Sequence, residues 1–263
     1  MYKYLFIIAL IMGALTGCDN NPTNLNKGTG ALRIFLVDSP SSFDSVIIFV
    51  KQVEIHSADS NDTSNWYVIN NTLRSFDLLQ LRNGASAVLG NSVLPSGNYS
   101  MIRLILGDGS YAVINGVKYN LTIPSGIQTG IKLNHSFIIE PNTLYEFLLD
   151  FNVDKSIHIT GNGEYKLEPV IRVMPLITSG TISGQVLPSD AQATVFTIIG
   201  PDTVATYPDL DGFFKLMAIP QGMYNVEINP GNVTYKDTII PNINVYSNQN
   251  TDIGLIQLNT NYL

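Results

Sequence analysis

The sequence predicts an all-β protein built as two β-sandwich domains, and three observations carry that prediction. Apolar and polar residues alternate in short runs along most of the chain. Gly, Pro, Asn and Asp punctuate these runs, and from about residue 180 onward the turns fall every 8–12 residues, as in a sandwich. No stretch of about 12 residues shows the three-and-four apolar spacing of an amphipathic helix.

The elements follow in order. Leu32 to Val37 is an alternating strand, stopped by Asp38-Ser39-Pro40. Val46 to Ile55 is a longer strand whose alternation slips near Lys51-Gln52, which predicts a bulge. A polar loop, Asp59 to Asn65, leads to a strand at Trp66 to Ile69. Phe76 to Leu81, before Arg82-Asn83-Gly84, fits a strand or one helical turn, and the pattern leaves both open. Tyr99 to Leu106 alternates cleanly, with Tyr99, Met101, Arg103 and Ile105 on one side and Ile102, Leu104 and Leu106 on the other. Asn115-Gly116 between Ser110–Ile114 and Val117–Leu121 is a hairpin signal, because Asn-Gly favours the left-handed turn that matches strand twist. Ile131 to Ile139, Thr143 to Phe151 and Lys166 to Met174 supply three more strands. Pro169 inside the last predicts an edge position or a bulge, because it removes a ladder donor.

Met174 to Gly180 reads as a domain boundary. Beyond it strands are expected at 180–187, 193–199, 202–206, 212–217, 222–229, 235–240 and 252–258. Isolated hairpins cannot bury such faces, so each region must close into layered sheets.

Residues 1–18 read MYKYLFIIALIMGALTGC, with Lys3 ahead of an apolar core at Leu5 to Met12. That core is far shorter than the ~20 residues that cross a bilayer, so it predicts a secretory signal. Leu15-Thr16-Gly17-Cys18 resembles the lipobox of bacterial lipoproteins, which implies acylation of Cys18 and loss of residues 1–17. Residues 18–30 are a polar tether, and the domains are expected at 31–176 and 177–263. The expected location is the bacterial cell envelope, lipid-anchored at the outer membrane. Asp19 resembles an inner-membrane retention signal of some enterobacteria, which keeps the choice of membrane open.

Lys and Arg number 14 against 21 Asp and Glu, a net charge of −7, which argues against nucleic acid as a partner. The chain holds a single Cys, so intrachain disulfides and multi-cysteine metal sites are excluded. No G-x-S-x-G or H-E-x-x-H motif occurs, and His56, His135 and His158 are far apart in sequence. The chain is therefore read as a non-enzyme with no catalytic residues and no cofactor. Calcium is the one candidate ion, through Asp150, Asn152 and Asp154, whose hard oxygens alternate at the end of a strand. Trp66, Tyr67, Tyr111 and Tyr119 are candidate ligand-binding aromatics, since exposed rings give large contact area at low entropic cost. Asp44-Ser45-Val46, Asp202-Thr203-Val204 and Asp237-Thr238-Ile239 resemble the triplets O-glycosylated in Bacteroidota.

Seven stretches carry a wider resemblance: LRIFLVDSP at 32–40, VKQVEIHS at 50–57, FDLLQLRNG at 76–84, LPSGNYSMIRLILGD at 94–108, LTIPSGIQTGIKL at 121–133, LLDFNVDKSI at 148–157 and GEYKLEPVIRV at 163–173. In order and spacing, residues 31–175 resemble the DUF4382 family of bacterial lipoprotein domains. The resemblance implies an exported β-sandwich and brings no catalytic residues. Gly184-Gln185-Val186, Asp209-Leu210-Asp211-Gly212-Phe213-Phe214 and Ile219 to Val226 resemble the carboxypeptidase regulatory-like family. That implies a transthyretin/prealbumin-like sandwich in a carbohydrate-binding-like fold class, with Asp211-Gly212 and Pro220–Gly222 as turns and Tyr224 packing at a strand start. The Gly-Tyr that family often shows is Thr234-Tyr235 here. The reading is a non-catalytic envelope lipoprotein acting as a binding or structural module. Its partners are the lipid bilayer and a glycan or envelope protein. A carbohydrate-binding surface lipoprotein and a pilus- or adhesin-like subunit are the alternatives.

Overall fold

The computed structural model describes residues 28–59, 65–124 and 129–261. The expected signal peptide, Cys18 and nearly all of the tether lie outside the described residues. Strands dominate, as the alternation predicts, and the described residues form four sheets.

The N-terminal unit opens with β1 (Thr29–Asp38) and β2 (Ser45–Ser57). Next come β3 (Trp66–Asn70) and β4 (Arg74–Asp77), the latter followed by a 3-10 turn over Leu78–Gln80. The stretch left open between strand and helical turn is thus one of each, with Asp77 capping the turn through the Leu79 N–H at 3.2 Å. β5 (Ala87–Pro95) was not anticipated from the sequence, because its small polar residues break the alternation. β6 (Gly97–Leu106), β7 (Tyr111–Ile114) and β8 (Val117–Thr122) follow. The β7–β8 turn has Asn115 at φ 49° and Gly116 at φ 73°, the left-handed pair the dipeptide predicts. β9 (Ile131–Ile139) and β10 (Leu144–Phe151) lead through the single helical turn α1 (Val153–Ser156) to β11 (Ile157–Ile159), β12 (Tyr165–Leu167) and β13 (Ile171–Pro175).

One sheet runs β13-β10-β1-β5. The other runs β11-β12-β8-β7-β2-β6-β9, with β3 and β4 also pairing with β2. The two close over a core that includes Ile34, Ile48, Ile102, Phe147 and Phe151. The bulge expected near Lys51-Gln52 is present, as a register shift between Val50 and Gln52 against β6. A second shift, between Tyr99 and Met101 against β9, was not foreseen. It turns Tyr99 into the core beside Ile102, so Tyr99 does not share a side with Met101 and Arg103. Pro169 marks neither an edge position nor a bulge within one strand. The chain leaves the large sheet at Leu167 and joins the small sheet at Ile171, and Pro169 lies in the crossover.

β10 pairs with β1 in parallel, which places Val37 opposite Asp150 and Asp38 opposite Phe151. On its other side β10 pairs antiparallel with β13, which sets Arg172 opposite Asp150. β10 is buried along its C-terminal half on both faces, so its sequence reads as an apolar run rather than an alternation. Phe147 and Leu149 enter the N-terminal core, whereas Leu148 packs with Val37 and Ala218 against the rest of the chain.

The C-terminal unit contains β14 (Ser179–Leu187), β15 (Ala193–Ile199), β16 (Asp202–Thr206), β17 (Phe213–Pro220), β18 (Gly222–Pro230), β19 (Thr238–Val245) and β20 (Asn250–Gln257). Sheets β17-β14-β20 and β16-β15-β18-β19 enclose Val186, Val195, Phe214, Leu216 and Val226. β16 lies against β17 and β19 against β20, so the two sheets abut at both edges. β19 begins later than expected, because Tyr235 instead turns back on Asn232 and bridges to Thr260.

Candidate functional site

The predicted aromatics do not share one surface, and the two-residue strand period explains why. Trp66 and Tyr67 are neighbours on β3 and point to opposite faces. Tyr67 packs on the core and meets Tyr99 edge-on at 6.0 Å. Trp66 lies on the outer face, where the Arg103 guanidinium sits 4.0 Å from its ring centre and His56 contacts it at 4.9 Å. Arg103 is itself paired with buried Glu54. The Trp66 ring is therefore part of a polar network. Tyr111 lies opposite Asn120, whereas Tyr119 lies opposite buried Ala112 and packs on Tyr165 at 4.6 Å.

The candidate calcium ligands have other partners. Asp150 Oδ1 accepts from the Ser39 hydroxyl at 3.2 Å, and Oδ2 accepts from Arg172 Nη2 at 3.0 Å. Asn152 Oδ1 caps α1 by accepting from the Lys155 N–H at 2.9 Å. Burial raises the pKa of the Asp154 carboxyl. Among the described residues no group of three or more His, Cys, Asp or Glu is placed to hold a metal ion. The histidines lie on β2, β9 and β11 and do not converge. Of the O-glycosylation triplets, Ser45 donates its hydroxyl to Asp77, while Thr203 is exposed.

A different feature stands out in the C-terminal unit. The loop Tyr207 to Gly212 rises between β16 and β17 and carries Leu210 at its tip, 94% exposed. The loop is held firmly from within. Asp209 Oδ1 accepts from the N–H groups of Asp211 at 3.0 Å and Phe213 at 2.9 Å. The Asp209 N–H donates to the Phe213 carbonyl, and the Gly212 N–H donates to the Asp209 carbonyl, each at 2.9 Å. Gly212 has φ +85°, and a Cβ there would lie 2.2 Å from the Val186 carbonyl oxygen, so only glycine fits. A leucine between two aspartates, outside any alternating run, was the sequence signal for this loop.

Hollows flank the loop on both sides. One, of about 420 Å³, is lined by Phe213, Leu255, Lys215, Gln185, Ser183 and Asp252. The other, of about 680 Å³, is lined by Pro188, Asp190, Gln192, Tyr207, Pro208 and Leu210. Tyr235 donates its phenol to Asp190 at 2.9 Å, and that carboxylate raises the phenol's pKa. Phe213 and Leu255 are 53% and 60% exposed.

The base of the loop is sewn to the N-terminal unit. Asn83 Nδ2 donates to the Phe213 carbonyl at 3.0 Å, and Asn83 Oδ1 accepts from the Lys215 N–H at 2.6 Å. The side-chain amide thus imitates a paired strand residue. The Arg82 guanidinium lies 5.5 Å from the Tyr207 ring centre. These contacts give the loop a rigid platform and leave its apolar tip in solvent. The arrangement suits a partner contact, in which a preordered apolar anchor enters a pocket at low entropic cost.

Comparison with known proteins places the N-terminal unit in a family. The model described as "Domain of unknown function (DUF4382)" matches residues 29–169, more than half of the chain. No curated protein matches. Among solved structures, an interface mutant of a type II cohesin–X-dockerin complex from Acetivibrio cellulolyticus is 21% identical over 31% of this chain and 58% of that one, with a TM-score of 0.25. The chain thus covers little more than half the length of that relative. The minor pilin GBS52 of Streptococcus agalactiae is 9% identical over 89% of this chain and 96% of that one, also at a TM-score of 0.25. A D295N variant of the shaft pilin SpaA from Lactobacillus rhamnosus GG is 8% identical over 88% and 98%, at 0.25.

Proposed function

From the premise that this chain belongs to the DUF4382 family, we propose that it is a non-catalytic, lipid-anchored binding module of the bacterial cell envelope. Two domains make it up, residues 31–176 and 177–263. The tether ahead of the first carries the anchor, and the second presents the contact loop. The anchor reading rests on the order of Lys3, the apolar core and Leu15-Thr16-Gly17-Cys18. Acyl chains on Cys18 would hold the protein at the bilayer, and more than one chain is needed for stable attachment.

The observation that carries the binding function is Leu210: a nearly bare leucine on a loop with four internal hydrogen bonds and a glycine that admits no side chain. An exposed apolar side chain on a mobile loop would be unremarked, but one held in place is presented. The partner is a protein with an apolar pocket. Asp209 and Asp211 flank Leu210 along the chain and Asp190 lines the hollow beside it, so a basic rim on that pocket would complement it. A photo-crosslinking residue at position 210 of the full chain tests this in the native host. Position 117, exposed at the start of β8, is the control. A discrete crosslinked protein from 210, lost when Asp replaces the neighbouring Tyr207, supports the reading. Equal labelling from both positions would end it. For the anchor, Cys18→Ser should move the protein from the membrane to the soluble fraction.

A second reading, glycan binding, has its own support in the 420 Å³ hollow, where exposed Phe213 stands beside Lys215, Gln185 and Ser183. Glycan-array binding by the full chain that Phe213→Ala abolishes would favour it. Strand addition, the basis of a pilus-like subunit, has little support in the C-terminal unit, because the edges of its two sheets abut.

A further inference from the structure

We propose that the 420 Å³ hollow of the C-terminal unit takes an acidic glycan: a sugar ring stacks on Phe213 and turns its carboxylate to Lys215. The proposal rests on the glycan reading of that hollow and adds the charge and the orientation of the sugar.

The floor is the outer face of the sheet β17-β14-β20, and its side chains stand in two rows. Register places Lys215, Ser183 and Asp252 side by side across the three strands, with Phe213, Gln185 and Leu255 side by side in the next row. Neighbours within a row lie about 4.8 Å apart, and the two rows lie about 7 Å apart along a strand. Alternation alone would not complete these rows. Asp252 and Leu255 are three residues apart on β20, so a regular strand would send them to opposite faces. Instead β20 bulges, setting two residues, Ile253 and Gly254, against Gly184 of β14. Gly254 takes φ +72° there. The bulge brings both Asp252 and Leu255 to the hollow, while Ile253 and Ile256 pack in the core. Bulges recur next to active sites, where they re-aim a side chain.

The charges are unevenly placed. Lys215 is the one cation lining the hollow, and among the described residues it forms no ion pair. Its backbone is fixed, because its N–H donates to Asn83 across the seam between the two units. Asp252 stands two strands away, about 10 Å along the row, and its Oδ1 accepts from the Gly254 N–H at 3.0 Å. Asp209 lies at the Phe213 end, where its backbone pairs with Phe213. A carboxylate entering the hollow is therefore attracted at one corner and repelled at two others, which fixes how an acidic ring must lie.

Phe213, 53% exposed, supplies the apolar face on which a ring can rest. A ring seated there directs one substituent along β17 to Lys215 and its hydroxyls toward β14. Ser183 Oγ accepts from Asn250 Nδ2 at 2.8 Å and keeps its own hydrogen to donate. Gln185 Nε2 donates to the Asp211 carbonyl at 2.7 Å, which leaves Oε1 to accept. A neutral sugar would use the same ring and the same polar groups but leave Lys215 without a partner.

Isothermal titration calorimetry of the full chain in detergent tests this. The probes are trimers of galacturonate, glucuronate and mannuronate, and the methyl esters of the same trimers. Esterification keeps every ring and hydroxyl and removes the charge. At least one acid trimer should bind about three- to tenfold more tightly than its ester. Lys215→Met keeps the stem and the backbone bond to Asn83; it should bring the acid down to the affinity of the ester and leave the ester unchanged. Phe213→Ala should abolish binding of both. Equal binding of acid and ester would overturn the proposal and leave the glycan reading standing, whereas no binding by any trimer would end both. Should Lys215→Met not fold, salt decides the matter on the wild type. Raising NaCl from about 50 to about 500 mM should erase the advantage of the acid, and an advantage that persists would overturn the proposal.

Discussion

Replacing Arg172 by Met tests the electrostatics of the seam most sharply. The Arg172 and Asp150 side chains are 15% and 10% exposed and meet at 3.0 Å. Burial already raises the pKa of Asp150, and Arg172 is the main influence that lowers it. Met keeps most of the stem volume, so packing changes little, but Asp150 loses its counter-charge. Its charge then faces a buried site, and the penalty is limited by the alternative of taking up a proton. That alternative costs about 1.4 kcal/mol for each pH unit above 3.8, or about 4 kcal/mol at pH 7 and about 1.6 at pH 5. One effect runs the other way: Arg172 Nη1 is buried without a partner, and its removal relieves about 1–3 kcal/mol. Asp150 is raised even beside Arg172, so the wild type already bears part of this cost, and the net loss lies below that limit at pH 7 and shrinks toward zero at pH 5. Urea unfolding followed by Trp66, the one tryptophan of the chain and part of the N-terminal large sheet, measures this. A loss of the same size at both pH values would refute the reasoning, because it would mean that packing rather than charge had been removed.

Three further outcomes are expected. Gly212→Ala forces a left-handed alanine against the Val186 carbonyl and should lower the stability of the C-terminal unit by about 2–4 kcal/mol, read by differential scanning calorimetry. Leu210→Asp should leave the melting temperature unchanged to within about 1 °C, since the side chain is almost wholly in solvent, while abolishing the crosslink from a probe placed at Gln192, which lines the hollow beside Leu210. Asn83→Ala removes both hydrogen bonds of the clasp and should speed Lys215 amide exchange at least fivefold, with β18 amides unaffected.

Most strands were legible because their faces differ: Ile34 and Leu36 are buried and Arg33 is not, and the sequence alternates accordingly. The slip at Lys51-Gln52 was readable for the same reason, as it breaks an otherwise clear pattern. Tyr99 was not, because Tyr-Ser-Met alternates equally well in either register and only pairing with β9 fixes the shift. β5 lacks a strong pattern and is held as a strand by β1 alone. The contact loop left a trace, Leu210 between two aspartates, which the turn chemistry of Asp-Gly obscured. The seam acids left none. Asp150 comes beside Val37, and Asp38 beside Phe151, only because β1 and β10 pair in parallel, a non-local choice that local periodicity does not encode.

That same parallel pair explains why the two units form one mechanical object. The small sheet is shared: Phe147 and Leu149 of β10 fill the N-terminal core, while Leu148 turns to Ala218 of the C-terminal unit. A strand with one solvated face could shift without affecting a second core, but β10 cannot, because each face is packed. Arg82 lies at the point where the seam and the contact loop meet. Its charge acts on Asp38 from one side, and its guanidinium faces the Tyr207 ring on the other. Arg82 and Asn83 thus tie the base of the loop that displays Leu210 to the N-terminal unit.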